Sequence, residues 1–274
     1  MPQMGAPDMI IELDAVEHQE YGGKALELGR ARRAGLPVPG GLALAPAFVE
    51  RVVLGDSGIR ARLREACASL GPLAVRSSAI GEDGTTASFA GQHATVLNVC
   101  TAAAVFDAVV SVYESARSAS ALAYRRRMGI HSEPRMGVVL QELVLAECAG
   151  VLFTRHPMSG ADERVIEGSF GLGEAVVSGL VTPDRFRLAR GGAVLERCLG
   201  EKDIAIEWAP GGGTREVEIQ AARAAELCLT DAQLGELEAL AAACEAAFPG
   251  PHDIEWAFAK GKLYLLQRRA ITRV

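Results

Sequence analysis

The residues best suited to chemistry lie near the C-terminus, in the segment 253–269, DIEWAFAKGKLYLLQRR. Two alternating apolar runs on either side of a Lys-Gly-Lys turn predict a β-hairpin there. With a three-residue loop at 260–262, Glu255 faces Gln267 and Asp253 faces Arg269. Because side chains two positions apart share a face of a strand, one face then carries two carboxylates, an amide oxygen and a guanidinium. Such oxygen ligands suit Mg²⁺ bridging phosphates, and the cation suits charge that develops on a transferred phosphoryl group.

The same pattern has a second interpretation, an amphipathic hairpin whose polar face is simply solvated. The register also depends on the loop, because a loop of two residues would shift the pairing by one position. The hairpin pattern alone leaves both interpretations open. The choice between them depends on what the rest of the chain places beside the hairpin.

The composition describes the protein that has to hold this hairpin. The chain has 274 residues, of which 49% are apolar and 23% charged, and a net charge of −6, all ordinary for a globular domain. The negative charge gives no support to binding of nucleic acid or anionic membranes. Charged residues interrupt each apolar run before it could span a bilayer, and the N-terminus lacks a secretory pattern. Six scattered cysteines without CxxC spacing favour reduced thiols. We therefore expect a cytoplasmic protein with no nucleic-acid or membrane partner.

Helical and extended patterns follow one another irregularly along the chain. Helices are predicted over residues 24–34, 47–53, 59–70, 101–128 and 230–248, the last with Thr230 as its N-cap. Strands are predicted over residues 73–76, 138–143, 150–154, 165–167 and 186–188, and in the two arms of the hairpin. This mixture predicts an α+β fold rather than a doubly wound parallel sheet.

Two earlier segments carry a cation beside small residues. Lys24 follows Gly22-Gly23 at a helix start, where backbone N–H groups and the lysine together would bind an anion. Arg76 ends a buried strand and precedes a loop rich in Gly, Ser and Thr, which is suited to closing over phosphates but lacks the Walker spacing. The alternatives are a solvated lysine, and an arginine that forms a structural ion pair with Glu82 or Asp83.

Three further positions have weaker signals. The strand end at residues 141–144 is expected to offer alternating backbone N–H and C=O groups to a purine edge, although any strand before a turn has this appearance. His156, which precedes a proline, is more typical of a surface imidazole than of a nucleophile. The glycines at 171–179 do not match GxGxxG, so no dinucleotide site is predicted. Glu174 is either a base beside the site or an acid in the first turn of a helix.

Taken in order, these segments resemble the N-terminal nucleotide-binding domain of the phosphoenolpyruvate synthase and pyruvate phosphate dikinase family, which also includes rifampicin phosphotransferases. The matching blocks run from about residue 21 to the C-terminus: GGKALELGRARRAGLPVPGG, AVRSSAIGEDGTTASFAGQHATVLNV, QELVLAECAGVLFTRHPMSG, GSFGLGEAVVSGLVTPDRF and DIEWAFAKGKLYLLQRRAIT. The resemblance implies an ATP-grasp fold over a single domain, residues 1–274, with ATP and Mg²⁺ held between internal subdomains.

The resemblance also implies roles for individual residues. Those expected to contact ATP are, in chain order, Lys24, Arg76, Thr85, Thr86, Ser88, Gly91, Gln141, Glu142, Leu143, Val144, Asp253, Gln267 and Arg269. Within this set the two N-terminal cations would contact the phosphates, the loop at 85–91 would close over them, and residues 141–144 would line the adenine. Glu255 and Gln267 would hold Mg²⁺. The expected catalytic residues are Arg76, Glu255 and Arg269.

The chain also departs from the family pattern. Ser120 stands where the family often has an arginine, with Arg117 one helical turn earlier as the nearest substitute, and Ala270 stands in place of the proline of the usual QxRPxT ending. Family members also carry a phosphorylated histidine in a Gly-rich TSH context. None of the histidines of this chain has that context: His18, His93, His131, His156 and His252.

Three functional hypotheses follow from these observations. The leading one is an ATP- and Mg-dependent phosphotransferase component that passes a phosphoryl group to a histidine on a separate phosphohistidine-domain protein, with a substrate-domain protein as a further partner. The second is a stand-alone ATP-grasp kinase or ligase that acts directly on a small molecule, such as an antibiotic or a biosynthetic intermediate. The third is a regulatory partner that binds ATP without turnover.

Overall fold

The computed structural model describes residues 9–80 and 94–271. The chain divides into two compact units. Unit 1 comprises Met1–Arg30, Gly40–Leu143 and Gly211–Gly213, and unit 2 comprises Ala31–Pro39, Val144–Pro210 and Thr214–Val274. Both contain helices and antiparallel sheet, which confirms the predicted α+β class. In the part of the chain that the structure describes, no helix is long and apolar enough to cross a membrane.

Unit 1 is built on an antiparallel sheet. Its strands are β1 (Ile10–Glu12), β2 (Gly41–Leu44), β3 (Leu73–Ala79), β4 (Thr95–Val99) and β5 (Met136–Glu142). They are arranged in the order β1-β2-β5-β3-β4. The helices of this part of the chain are α1 (Gly23–Arg33), α2 (Pro46–Val53), α3 (Ser57–Cys67), α4 (Ala102–Ser115) and α5 (Ala119–Arg127).

One face of this sheet forms the hydrophobic core of unit 1 with α2, α3 and α4. Phe48 of α2 is fully buried there, together with Val75 of β3 and Leu140 of β5. Because side chains alternate between the two faces of a strand, the next residues, Arg76 and Gln141, point to the opposite face. The core therefore fixes two predicted site residues on one surface of the sheet.

Unit 2 is built on a larger antiparallel sheet. Its strands are β6 (Cys148–Phe153), β7 (Glu163–Phe170), β8 (Asp184–Ala189), β9 (Val194–Cys198), β10 (Ile204–Trp208), β11 (Thr214–Glu218), β12 (His252–Ala259) and β13 (Lys262–Ala270). Six of them lie in the order β13-β12-β6-β7-β8-β9, and β10 and β11 form a separate pair. The helices are α6 (Glu174–Val177), α7 (Ala221–Ala224) and α8 (Asp231–Ala247).

The long helix α8 covers one face of the six-stranded sheet. It begins as predicted at Thr230, whose side chain forms a capping box with Gln233. Arg164 of β7 is buried under the helix and bonds Glu238 and Glu245 at 2.8 Å each. Carboxylates that neutralise a buried arginine offset the cost of removing its charge from water, so these bonds fix α8 on one face of the sheet. We call this face the core face.

Several predicted boundaries differ from the structure. The helix predicted over 101–128 is two helices, because the Ser118 hydroxyl accepts from the Ala121 N–H and starts α5 as a new helix. Strands β1, β2, β4, β9, β10 and β11 are not predicted by the sequence patterns. Each has three to five residues, which is too short for alternation to stand out.

Candidate functional site

The polar hairpin consists of β12 and β13, and its loop is shorter than predicted. Ala259 pairs with Lys262, so only Lys260 and Gly261 lie in the loop, and both have positive φ, 51° and 68°. Two consecutive positive φ angles are typical of a type I′ turn, which matches the twist of the strands. The predicted loop of three residues is therefore wrong.

The predicted register is nevertheless confirmed. Glu255 pairs with Gln267 and Asp253 with Arg269, although Trp256 pairs with Leu265. Leu266 is thus an extra residue in β13, a β-bulge that compensates for the short loop.

These four side chains, of Asp253, Glu255, Gln267 and Arg269, form a compact polar cluster on the face of the sheet opposite α8. We call this face the polar face. An Arg269 Nη2 atom lies 2.9 Å from Asp253 Oδ2 and 3.9 Å from Glu255 Oε1. Burial raises the pKa of Asp253, the nearby Arg269 opposes the rise, and Glu255 adds to it. The buried Oδ1 atom of Asp253 has no hydrogen-bond partner among the described residues. The cluster therefore contains a carboxylate oxygen with unused capacity to accept, beside a guanidinium.

The same face continues across the sheet. Glu255 is in register with Val151 of β6, Glu167 of β7 and Arg185 of β8, so Glu167 and Arg185 share its face. The sequence patterns predict the strand at Glu167 but do not single that residue out. Its signal is a charge directly after the apolar pair Val165-Ile166.

The short helix α6 begins over this face. A Cβ atom built at Gly173 would lie 3.5 Å from Ala149 Cβ of β6. Ala149 is the direct partner of Ala257 in β12. Glu174 is the first residue of α6 and is exposed. This places it in the first turn of a helix, one of its two predicted positions, and on an element that contacts the polar face.

In unit 1 Arg76, a predicted phosphate-binding residue, forms a hydrogen bond with Gln141, a predicted adenine-binding residue. Its Nη1 atom donates to Oε1 of Gln141 at 2.8 Å, and both residues are buried. The Nε2 atom of Gln141 has no hydrogen-bond partner among the described residues. An amide donor left in this state costs free energy, so the site is suited to an incoming hydrogen-bond acceptor. The predicted ion-pair partners of Arg76, Glu82 and Asp83, lie outside the described residues.

Lys24 is placed by the contact of its helix with β3. Ala25 N donates to the Ser78 hydroxyl at 3.0 Å. Gly22 has φ +89°, and a Cβ there would lie 1.8 Å from the Ser78 carbonyl oxygen. Only glycine fits this approach. Ser78, two residues after Arg76, therefore fixes the helix start that carries Lys24. No sequence pattern singles out Ser78.

The strand end at 141–144 uses several of its backbone groups in internal hydrogen bonds. Glu142 N donates to the Gly40 carbonyl at 2.9 Å and Leu143 N to the Pro72 carbonyl at 2.8 Å. In unit 2 the Val144 carbonyl accepts from Ala146 N at 2.9 Å. Internal bonds thus occupy the N–H groups of Glu142 and Leu143, and the expected contact of residues 141–144 with a purine edge stays a prediction.

Other predicted residues lie in different settings. Thr85, Thr86, Ser88 and Gly91 are outside the described residues. His156 Nδ1 accepts from the N–H groups of Met158 and Ser159 at 3.2 Å each, which is a structural role within a turn.

The substitute suggested for the family arginine has its own structural contacts. Arg117 donates to the Pro134 carbonyl at 3.0 Å. Its guanidinium carbon lies 3.6 Å from the centroid of the Tyr113 ring. The guanidinium is therefore engaged within unit 1, while Ser120 lies within hydrogen-bond distance of Ser118.

No group of three or more His, Cys, Asp or Glu side chains within residues 9–80 and 94–271 is arranged to hold a metal ion by itself. The hairpin cluster contributes two carboxylates and an amide. A metal held there would complete its coordination with oxygens from a ligand or water, as Mg²⁺ commonly does.

Comparison with known proteins places the chain in a family. The family profile described as pyruvate phosphate dikinase, AMP/ATP-binding domain, matches residues 56–274. A rifampicin phosphotransferase of a Streptomyces species is 39% identical over 306 residues, which cover 95% of this chain and 35% of the relative. A second one, from Streptomyces sviceus, is 44% identical over 201 residues, covering 73% of this chain and 23% of the relative.

A probable phosphoenolpyruvate synthase of Methanothermobacter thermautotrophicus is 34% identical over 300 residues, covering 92% of this chain and 44% of the relative. The chain thus spans less than half the length of these relatives. The match includes the polar hairpin and the strand of Arg76, since both lie within residues 56–274. The chain therefore belongs to the pyruvate phosphate dikinase AMP/ATP-binding domain family, an ATP-grasp family of ATP-binding phosphotransferases.

Proposed function

We propose that this chain is the ATP- and Mg²⁺-binding component of a phosphotransferase, and that it passes a phosphoryl group from ATP to a histidine on a separate partner protein. The observation that carries the proposal is the pairing of Glu255 with Gln267 and of Asp253 with Arg269 on one face of the hairpin. A solvated amphipathic hairpin has no need of a half-buried carboxylate beside a guanidinium, because burial of charged groups is costly.

In this proposal Glu255 and Gln267 hold Mg²⁺. The donor set fits the ion, since it consists of hard oxygens and leaves positions for phosphate oxygens. Asp253 Oδ1, which has no hydrogen-bond partner in the described part of the chain, lies in the same cluster and is suited to orient a water molecule on the metal. When bound, the ion would neutralise charge on the phosphates.

The cations of the chain then position the nucleotide. Arg269 is held by Asp253 at 2.9 Å, so its guanidinium is already oriented when phosphate arrives. Arg76 is oriented in the same way by Gln141. Pre-oriented cations of this kind stabilise charge that develops in phosphoryl transfer without further reorganisation. Lys24 and the loop at 85–91 are proposed to complete the phosphate contacts.

The setting of two histidines supports an acceptor on another protein. His252 is fully buried and lies one position from Asp253, so its side chain points to the core face of the hairpin. The imidazole of His156 is engaged by two backbone N–H groups. Neither is placed to receive a phosphoryl group over the polar face, so we propose that a partner with a phosphohistidine domain delivers the acceptor.

The rifampicin phosphotransferases among the relatives favour one second candidate. In it the same ATP site serves transfer to a small molecule such as an antibiotic, without a protein histidine. Both candidates use the hairpin cluster in the same way. They differ only in the acceptor, which the experiment must therefore identify.

The test is incubation of the chain with Mg²⁺ and ATP labelled at either the β- or the γ-phosphate, with and without candidate histidine-domain proteins. Label on a partner histidine supports the relay, and the labelled position shows which phosphoryl group moved. Label on a small molecule in the absence of any partner protein would replace the relay by the second candidate. ATP that neither binds nor reacts, with Glu255→Ala indistinguishable from wild type, would contradict both.

A further inference from the structure

The strand that carries half of the polar cluster lies at the edge of its sheet. Among the described strands, β13 pairs only with β12, and it carries Gln267 and Arg269. On its outer side the Leu265 N–H, which precedes the bulge, donates to the Pro37 carbonyl at 2.9 Å. An edge strand has a ladder of hydrogen bonds on one side only and opens more readily than an inner strand. Because Mg²⁺ coordination requires close control of ligand positions, something besides these hydrogen bonds has to hold β13 in place.

The bulge directs one charged residue of this strand into the core. Leu263 and Leu265 are buried against the core, and the extra residue Leu266 changes the alternation that follows. Gln267 and Arg269 consequently point to the polar face, while Arg268 between them points to the core face. Arg268 is only 6% exposed, which is rare for an arginine.

Two contacts of Arg268 with described residues lie on the core face. Its Nη1 atom lies 3.2 Å from Nδ1 of His252 on β12. Its guanidinium carbon lies 3.9 Å from the centroid of the Phe248 ring, immediately after α8. The arginine therefore connects the edge strand both to its neighbour in the sheet and to the end of the helix that covers the sheet.

These contacts determine which ring nitrogen of His252 carries the proton. A guanidinium can only donate, so Nδ1 of His252 must accept and the ring proton lies on Nε2. That atom is 3.3 Å from the Phe248 carbonyl, to which it donates. The charged groups that act on the ring from neighbouring elements are Arg164 of β7 and Glu245 of α8. The imidazole is neutral in this arrangement and bridges β13 to the helix end.

Burial of an arginine at position 268 costs free energy. Burial lowers the pKa of Arg268 to about 10, which reflects the cost of removing its charge from water. An apolar side chain would cost less free energy to bury, but it would make no directional contact with His252. The contact with His252 exists only in the observed register, since a slip would send Arg268 to the polar face.

We propose that Arg268 and His252 are positioning residues that act from the core face and hold edge strand β13 in the bulged register, so that Gln267 and Arg269 stay aligned with Glu255 and Asp253. The functional part of this proposal rests on the proposed ATP and Mg²⁺ site. The structural part, the anchoring of β13, does not depend on it.

The test compares variants that differ in the anchor alone. Arg268→Met removes the donor, and His252→Leu removes the acceptor. His252→Gln supplies a carbonyl oxygen that can accept from Arg268 and should rescue the anchor. Phe186→Leu, in β8 on the same core face, is the control for a general loss of core packing.

Two measurements are made on each variant. Backbone hydrogen exchange at Gln267 and Arg269 should become faster in Arg268→Met and His252→Leu, with the other strands unchanged. The dissociation constant of Mg-ATP should rise about tenfold or more, as for other residues that orient metal ligands. His252→Gln should approach wild type in both, and the double variant should be no worse than Arg268→Met.

The outcomes separate the two proposals. If exchange in β13 is no faster in the anchor variants than in Phe186→Leu, the positioning role is wrong. Faster exchange without any change in Mg-ATP affinity would also contradict it, because the site would then tolerate a loose strand. If the wild-type chain does not bind Mg-ATP at all, the proposed function fails, while the exchange measurement still decides whether Arg268 and His252 anchor β13.

Discussion

Glu255 and Gln267 are direct partners across the hairpin because β13 has one residue more than β12 between the turn and the polar cluster. The turn has two residues, and by itself it would pair Glu255 with Leu266. The bulge at Leu266 moves the pairing on by one residue, so that the amide rather than an apolar side chain faces the carboxylate. The chemistry of the polar face therefore depends on a local irregularity of the strand.

Deletion of Leu266 should preserve the site, whereas an insertion beside it should destroy it. Without Leu266 the hairpin becomes regular, and Gln267 still follows Leu265 opposite Glu255. An alanine inserted after Leu266 would send Gln267 and Arg269 to the core face. Calorimetry should find Mg-ATP affinity within about tenfold of wild type for the deletion and a larger loss for the insertion. Equal losses in both variants would show that the shape of the bulge, and not the register, determines binding.

Substitution of the proposed metal-binding residues should weaken the binding of Mg-ATP more than it destabilises the fold. Mg-ATP should raise the melting temperature of the wild-type chain by mass action, and Glu255→Ala or Gln267→Ala should abolish this shift. Asp253→Asn should weaken it by a smaller factor, because Asp253 acts by orienting Arg269. Glu196→Gln, in the ion pair with Arg187 on the same sheet face, is the control. If ATP at low Mg²⁺ raises the melting temperature of Glu255→Ala as much as that of wild type, the interpretation of the hairpin as an amphipathic element with a solvated polar face is favoured.

Gly22→Ala should reduce both stability and ATP affinity. The new Cβ would lie 1.8 Å from the Ser78 carbonyl oxygen, so the start of the Lys24 helix would have to move away from β3. Gly35 is a matched control, with φ +79° and no atom within 4 Å of its hypothetical Cβ in the described structure. Gly35→Ala should cost about 1 kcal/mol from its left-handed backbone alone. Chemical denaturation and calorimetry of both variants measure the difference, and equal effects would contradict the proposed contact.

The stability of the chain should fall in mild acid because of His252. Burial lowers the pKa of its imidazole below the usual 6.5. Above that pH the ring is neutral in both folded and unfolded chains, so it contributes no pH dependence. As the pH falls below 6.5 the unfolded chain takes up a proton that the folded chain does not, and the free energy of unfolding decreases until the folded pKa is reached. His252→Gln should lose this part of the pH dependence in denaturation experiments. An identical slope in both proteins would show that the ring is not neutral in the fold.

The buried ion pair of unit 2 should be sensitive to the loss of one partner. Lys202 and Asp184 are both fully buried in contact, and Asp184 also accepts from the backbone N–H groups of Gly200 and Cys228. Lys202→Met leaves the carboxylate without its counter-charge and should cost about 3–5 kcal/mol. The double variant Lys202→Met/Asp184→Asn should recover part of the loss in chemical denaturation. If the single variant is as stable as wild type, the pair makes no net contribution.

The sequence predicts the class of the fold and the residues of the hairpin well, but not the reasons for their arrangement. The register of Glu255 and Gln267 is right although the loop on which it was based is wrong. The adjacent Leu265 and Leu266 fit either face, and only packing against the core decides which of them is the extra residue. The turn itself is set by the positive φ angles of Lys260 and Gly261, and a lysine is not the usual signal for such a position.

Contacts between distant parts of the chain lie beyond what local patterns can predict. The bond between Arg76 and Gln141 joins residues whose strands pair only in the folded sheet, so the sequence places both near the nucleotide without relating them. The burial of Arg268 contradicts the expectation that arginine lies on the surface. It becomes intelligible only when the bulge and His252 are seen together.

The strand order of unit 2 has a consequence for the synthesis of the protein. Strand β12 lies between β13 and β6, yet it is made long after β6. Until β12 leaves the ribosome, β6 has an unpaired edge, and the sheet β6–β9 can neither complete its hydrogen bonds nor close its core around Trp256. An unpaired edge of this kind invites association with other chains. A nascent chain interrupted before β12 would therefore lose an inner strand of the sheet as well as its polar cluster, and it should be a substrate for chaperones and proteases rather than a smaller working protein.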